Sequence, residues 1–429
     1  MVSEDESRLL TQTGPGTPCG DLMRRYWLPV ALSEELPEGG APVPVRLLGE
    51  DLVAFRDDSG RPGLLGIHCS HRGADLSYGR IEDGGLRCIY HGWLYDVHGH
   101  CLEQPGEPAG STFHERIRQI AYPCEEHGHT IFAYLGPGEP PLFPNYEFLH
   151  VPGEHVLATK RYHECNYLQA NEGNIDLSHL SYLHYLSDNN RFGQGPTGLP
   201  LNHRGAASGA ESSDVQLTPY GLRSCRISRD AGPDHFRFDV TEYVLPNFTA
   251  FWTGPNGDLS GKLGYAVNWH VPIDDHHHWK YTFRFGRGSG PGFLGRRAAE
   301  IMGPQYYPER NLSNRFMQDR ETMEYESYTG LGPDFFIHDK WATESQGPIQ
   351  NRAEEHPGVM DRAVLASRQV LRKAILDLQE GREPANVARS ADRNRFPLAS
   401  CYVTVPNGDD WKEYCRALES EVVLQESRS

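Results

Sequence analysis

Cys69 and His71, then Cys88 and His91, form two mixed thiol–imidazole pairs separated by sixteen residues, inside "CSHRGADLSYGRIEDGGLRCIYHGW". Two thiolates and two neutral imidazoles hold either zinc or an iron–sulfur cluster. Zinc fingers keep their cysteines together and their histidines together, whereas here each pair contributes one of each. That alternation suits a [2Fe–2S] cluster in which one iron takes both thiolates and the other both imidazoles. Two loops, each giving one ligand to each iron, clamp such a cluster from both sides. Gly73 and Gly92 let the backbone come close to sulfide. The chemistry of such a site is one-electron transfer.

A second constellation lies in "NIDLSHLSYLHY", which supplies Asp176-x-x-His179-x4-His184. On a regular helix Asp176 and His179 share a face. His184 does not follow, because five residues rotate roughly 140° past alignment. A bend or a π-type widening is needed to bring both imidazoles together. Two histidines and a carboxylate form the facial set that holds Fe(II) with open positions. Carboxylates lie downstream at Asp334, Asp339, Glu344, Glu354, Glu355, Asp361 and Asp377. Asp361 lies three and four residues before Val364 and Leu365, and so along the buried stripe of a helix; its plainer role is an N-cap.

These residues need elements to position them. Residues 8–26 read as a helix interrupted near "GPGTPCG". From about 40 to 148, short β-rich runs ("PVRLLG", "DLVAFRD", "GLLGIHC", "HTIFAYLG") alternate with turn clusters, which is small antiparallel β structure. "GPGEPPLFPN" reads as a linker or domain edge. "ECNYLQANEGNIDLSHLSYLHYLS" reads as helix and residues 193–215 as a loop. "HFRFDVTEYVLP", "TAFWTG", "YAVNWHVPI" and "WKYTFRF" read as strands of a second, larger antiparallel sheet. Asp361–Glu380 has apolar residues at helical spacing (Val364, Leu365, Leu371, Ile375, Leu378). "HHH" at 276–278 is expected to be a solvated turn.

Length favours two domains. The formal charge of −17, without a Lys/Arg run, disfavours nucleic acid. No apolar run is long enough to span a bilayer, and "MVSEDESRLLTQ" lacks the features of a secretory signal. Nine scattered cysteines fit reduced thiols, and hence a cytoplasmic chain. No flavin or nicotinamide fingerprint and no plant-type ferredoxin cysteine run is present, so electrons must come from another protein.

Cys-x-His-x16-Cys-x-x-His is the full Rieske pattern. Together with Asp-x-x-His-x4-His it resembles the Rieske non-haem iron oxygenases. "GPGTPCGDLMRRYWLPVAL", "ECNYLQANEGNIDLSHLSYLH", "VPIDDHHHW" and "ESQGPIQNRAEEHPGVMDRAVL" look like the phthalate-dioxygenase-type branch of ring oxygenases and aryl-ether O-demethylases. The resemblance implies an α+β chain: an N-terminal helical segment (1–39), an antiparallel-β Rieske domain (40–148) and a catalytic domain (149–429) with an antiparallel sheet flanked by helices, helix-grip in type. It implies a [2Fe–2S] cluster on Cys69, His71, Cys88 and His91, and mononuclear Fe(II) on His179 and His184 with Asp361 as the matching aspartate. Asp176 would bridge His179 to His91 of a neighbouring subunit in a homotrimer, or in a hexamer of two trimers.

The implied reaction is O2-dependent hydroxylation or O-demethylation of a carboxylated aromatic, with electrons from an NADH-dependent flavin/ferredoxin reductase. A non-aromatic substrate such as an alkaloid or quaternary amine is the alternative, and a Rieske electron carrier a further one. The loops lack the extra cysteines of high-potential Rieske proteins, and Trp93 stands where those carry a serine. Fewer hydroxyl donors to the cluster place its potential low. For substrate, Arg237, Asp239 and Trp252 are candidates, with Arg204, Arg223, Arg226 and Arg284 as further arginines. Arg237 and Asp239 share a strand face and could pair with each other.

Overall fold

The computed structural model describes residues 2–176, 178–184, 211–229, 234–252, 260–288, 306–325 and 327–426. Its larger sheet has eight strands. Across it run Val156–His163, His278–Phe285, Ala266–Pro272, Phe248–Phe251, His235–Val244, Gly221–Ser228 and Glu211–Thr218, all antiparallel. Cys401–Pro406 pairs with His235–Val240, on the edge whose other end is taken by Phe248–Phe251. The four strands read from sequence are all present. Four more were not foreseen: Val156–His163, Glu211–Thr218, Gly221–Ser228 and Cys401–Pro406. The first residues of Glu211–Thr218 fall where a loop was expected, and the rest of that loop lies outside the described residues.

Alternation along the sheet sets up the site. Val267, Trp269 and Val271 point into the main apolar core, as do Tyr281, Phe283 and Phe285 of the neighbouring strand. Side chains alternate along a strand. Asn268 and His270 therefore share the opposite face with His278, Lys280, Thr282 and Arg284. The apolar face meets the three-stranded sheet of Trp27–Leu32, Thr130–Tyr134 and Cys124–His127, where Phe132 lies 5.6 Å from Trp269. The two remaining sheets, of four strands each, carry the cysteine–histidine loops. Helices Glu4–Thr11 and Pro18–Met23 precede Trp27–Leu32, split at the predicted interruption.

Helix Tyr167–Ile175 packs on Ala266–Pro272 and on helix Phe335–Glu344. Asn166 caps its start, accepting from Leu168 N–H, while its own amide donates to the Thr11 and Asp275 carbonyls. The amphipathic helix runs Arg362–Gln379, burying Ala363, Leu371 and Ile375 against the main core. The "HHH" tract divides: His276 is exposed, but His278 is fully buried at the start of its strand. Strand pairing with His163 and Pro272 carries it inward, which corrects the solvated-turn expectation. No helix among the described residues is long and apolar enough to cross a membrane.

Candidate active site

The two cysteine–histidine loops are built alike. Gly73 N–H donates to the Cys69 carbonyl and Gly92 N–H to the Cys88 carbonyl, at 2.8 and 2.9 Å. Both glycines have φ near +75°, +73° and +77° respectively, which a side chain disfavours. Cys69 and Cys88 are buried while His91 is exposed, so the thiols lie inside and this imidazole faces out. The His71 and His91 rings are 4.5 Å apart, and Trp93 stacks on His71 at 4.4 Å. Burial raises the Cys88 thiol above its usual range, with Cys69 beside it adding to the effect. Two thiols forced together in an apolar pocket, below two imidazoles, fit a cluster with a thiolate iron and an imidazole iron. One hydroxyl stands beside the thiol side of the site: Tyr95 Oη lies 3.2 Å from Cys69 Sγ and 2.9 Å from Ser70 Oγ.

The second site lies where a helix breaks. Tyr167–Ile175 ends at Asp176, whose backbone turns extended (φ −72°, ψ 110°). Ser178 N–H then donates to Asp176 Oδ1 at 2.7 Å, and a new turn, Leu180–Leu183, begins. The break does what the spacing demanded. His179 and His184 converge, with ring centroids 5.3 Å apart. Asp176 Oδ2 stands 3.5 Å from His179 Nδ1. Burial opposes charge on His179, but Asp176 outweighs it and raises its basicity.

The carboxylate that meets these imidazoles is Asp339. Its Oδ1 lies 3.0 Å from His184 Nε2 and 3.6 Å from His179 Nε2. One donor atom from each of the three residues falls within 4.8 Å of the others. Asp361 is not at this cluster: its carboxylate turns back to accept from Gly358 N–H at 2.5 Å. It borders the wider cavity beside the site and precedes the long helix, whose first N–H groups its side chain does not cap. Asp339 was available in sequence, but nothing in its spacing singled it out. The usable signal was "FFIHD". Phe335 and Asp339 are one helical turn apart, and Phe335 stacks on His184 at 3.5 Å.

Tautomers show that a cation belongs here. The Gly332 carbonyl can only accept, so His338 Nε2 donates to it, at 2.8 Å. His338 Nδ1 then carries a lone pair and takes a proton from His184 Nδ1, 3.2 Å away. His184 Nε2 is left with a lone pair aimed at a carboxylate oxygen, and it has no hydrogen-bond partner. A proton on His184 is the other way to relieve the clash, but burial opposes it against the pull of Asp339 and pushes that imidazole down to about 4. Burial favours neutral Asp339, but His184, Lys280 and His179 outweigh it and hold the carboxyl well below its usual range. A lone pair facing an anion across 3.0 Å, with a second imidazole beside it, fits a divalent ion of the Fe(II) type with open positions.

Two cavities adjoin the cluster. The wider is polar, bordered by Glu172, Gln346, Gln350, Glu355, Asp361 and Arg368. The narrower is aromatic, with Phe251, Trp252, Phe335 and Phe336 joined by Asn268 and Arg284. Asp176, His179 and Asp339 border both. Of the substrate candidates, Trp252 lines the aromatic cavity. Its indole donates to Asp239, which also accepts from Arg226 at 3.1 Å. The pairing of Asp239 with Arg237 is therefore replaced by one across the strand pair; Arg237 lies over the Tyr402 ring. Arg223 is taken by Glu242 and Glu419, and Arg204 lies outside the described residues.

Comparison with known proteins agrees with this geometry. Residues 26–120 match the Rieske [2Fe-2S] domain and residues 133–428 the LigXa C-terminal domain like family. The chain is 35% identical to the phthalate 4,5-dioxygenase oxygenase subunit of Pseudomonas putida, covering 96% of this chain and 95% of that one. It is 30% identical to the 5,5'-dehydrodivanillate O-demethylase oxygenase subunit of Sphingobium sp. (strain NBRC 103272 / SYK-6), covering 94% and 87%. In fold it is similar to the terminal oxygenase of carbazole 1,9a-dioxygenase from Nocardioides aromaticivorans IC177, with a TM-score of 0.58 at 18% identity, covering 86% and 96%. The chain belongs to the Rieske non-haem iron oxygenases, phthalate-type branch. It is an oxidoreductase whose cofactors are a Rieske [2Fe–2S] cluster and mononuclear iron, with O2 as co-substrate.

Proposed function

We propose that this chain is the terminal oxygenase of a multicomponent system that hydroxylates or O-demethylates an aromatic acid, with electrons from a separate NADH-dependent flavin/ferredoxin reductase. The observation that carries the reading is the His179–His184–Asp339 cluster, with its misdirected His184 lone pair, opening onto an aromatic cavity. In this reading Cys69, His71, Cys88 and His91 hold the cluster, and His179, His184 and Asp339 hold the iron. When bound, the two metal centres supply electron storage and O2 activation.

The protein's own residues place and orient. Phe251, Trp252, Phe335 and Phe336 stack on an aromatic ring and exclude water. Asp176 fixes the tautomer of His179 by standing at its Nδ1. The exposed His91 meets Asp176 of the next subunit, so the working assembly is a closed head-to-tail trimer.

Metal analysis with O2 uptake tests this. Full-length protein should carry three irons per chain and consume O2 with benzoates, phthalates or methoxybenzoates when reductase and NADH are supplied. Two irons per chain in fully loaded protein, with no aromatic-dependent uptake, would reduce it to an electron carrier.

A further inference from the structure

We infer that Arg284 and Asn268 are the specificity-determining residues of the aromatic cavity and together grip the carboxylate of its substrate. This rests on the oxygenase reading above and adds to it the residues that recognise charge.

Among the described residues, Arg284 is a guanidinium without an anion. Its Nε is buried with no hydrogen-bond partner, and no carboxylate among the described residues pairs with it. It lies against the Phe336 ring, 5.6 Å from Cζ, and beside the like charges of Arg161 and Lys280. Burial first, and Arg161 second, lower its basicity to about 10. Leaving such a group unmatched is costly, and a planar fork of donors matches a carboxylate's two oxygens. Arg284 lines the aromatic cavity, as do His179 and Asp339. An anion seated on it therefore lies in the same chamber as the iron ligands.

Asn268 supplies the second donor, and a one-way chain of hydrogen bonds fixes its orientation. The Cys165 carbonyl accepts from His278 Nδ1 at 2.7 Å, so His278 Nε2 must accept. It accepts from His270 Nδ1 at 3.1 Å, so His270 Nε2 must accept in turn, from Asn174 Nδ2 at 2.6 Å. Asn174 thus presents its oxygen to Asn268 Nδ2, also at 2.6 Å, and the Asn268 oxygen takes the Thr282 hydroxyl at 2.9 Å. Every link follows from a backbone carbonyl that cannot donate. The chain is not a proton wire, because amides interrupt it. What it does is set one amide end for end, leaving Asn268 with a second N–H on the cavity wall. Asn268 stands opposite Thr282, and Ala266 opposite Arg284, so the two donors are diagonal neighbours on one face of adjacent strands.

The test compares binding of 4-methoxybenzoate with that of its uncharged amide, by calorimetry on the iron-loaded full-length protein. Wild type should prefer the acid. Arg284→Gln should weaken acid binding on the order of 10- to 100-fold, the worth of charge-assisted hydrogen bonds, and the amide far less. Arg284→Lys, which keeps charge but not the fork, should fall between. His278→Phe, remote from the cavity, should erode the acid-to-amide ratio by freeing Asn268 to flip; a purely structural role would weaken both ligands alike. Equal binding of acid and amide by wild type, or an unchanged ratio in Arg284→Gln, overturns the inference. The oxygenase reading survives either result, because it fails only if no aromatic compound drives O2 uptake.

Discussion

At the scale of single residues, the mononuclear site turns on which carboxylate serves it. Asp339→Ala should lower iron from three to two per chain with the Rieske absorption intact, whereas Asp361→Asn should keep all three. Iron assay with visible spectroscopy decides between them. Tyr95 makes a separate prediction. A hydroxyl 3.2 Å from Cys69 Sγ stabilises the added electron, so Tyr95→Phe should lower the cluster's midpoint potential in redox titration. Legibility differed sharply between the two sites. The Cys69–His91 pattern is legible because four ligands crowd one short stretch, and His179 and His184 because they fall in one motif. Asp339 comes from 155 residues beyond His184, on another helix, and local spacing holds no record of that meeting. Tyr95 was hidden differently: it contacts Cys69 because the loops fold together, not because of any distance along the chain.

At the scale of elements, a charged girdle surrounds helix Tyr167–Ile175, which leads into the Asp176 turn. Glu172 on that helix receives both Arg352 and Arg368, and Arg368 also grips Glu355. Glu172→Gln leaves two buried guanidiniums short of charge and should cost about 3–5 kcal/mol at neutral pH. Burial works to raise the Glu172 carboxyl, but Arg352 and Arg368 overcome it and hold it below its usual range. Its contribution is therefore complete above the unfolded value of about 4.3, and is lost as pH falls through the lower folded value. The melting-temperature gap between wild type and Glu172→Gln should narrow as pH drops from about 5 to about 3.

Strand content was only half readable. "WKYTFRF" and "YAVNWHVPI" announce strands through their aromatic and β-branched residues. "HVLATKRYH" and "GLRSCRIS" do not, because their cationic residues are buried by ion pairs with distant parts of the chain, Lys160 with Glu35, Arg223 with Glu242 and Arg226 with Asp239. The helix break after Ile175 was legible only as a geometric necessity; the Asp176–Ser178 turn is what realises it.

At the scale of the whole molecule, the proposed trimer has His91 and Asp176 serving one circuit from different subunits. An Asp176→Asn chain should be slowed roughly 10–100-fold as a homomer, and a His91→Ala chain, which loses a cluster ligand, should be inactive. Co-expressed, they should regain activity, because mixed rings contain junctions with both residues intact. Steady-state rates of purified mixed assemblies read this directly, and mixtures no faster than either parent would place the circuit within one subunit.

Gly173, Asn174, Asp176, His179 and Asp339 border both cavities. They are a single wall between two rooms. A guest on the aromatic side leans on the same partition that carries Asp176, so arrival of cargo and the proposed admission of current meet at one wall. Ligands too bulky for the aromatic room should accordingly disturb electron delivery even when they leave both irons untouched.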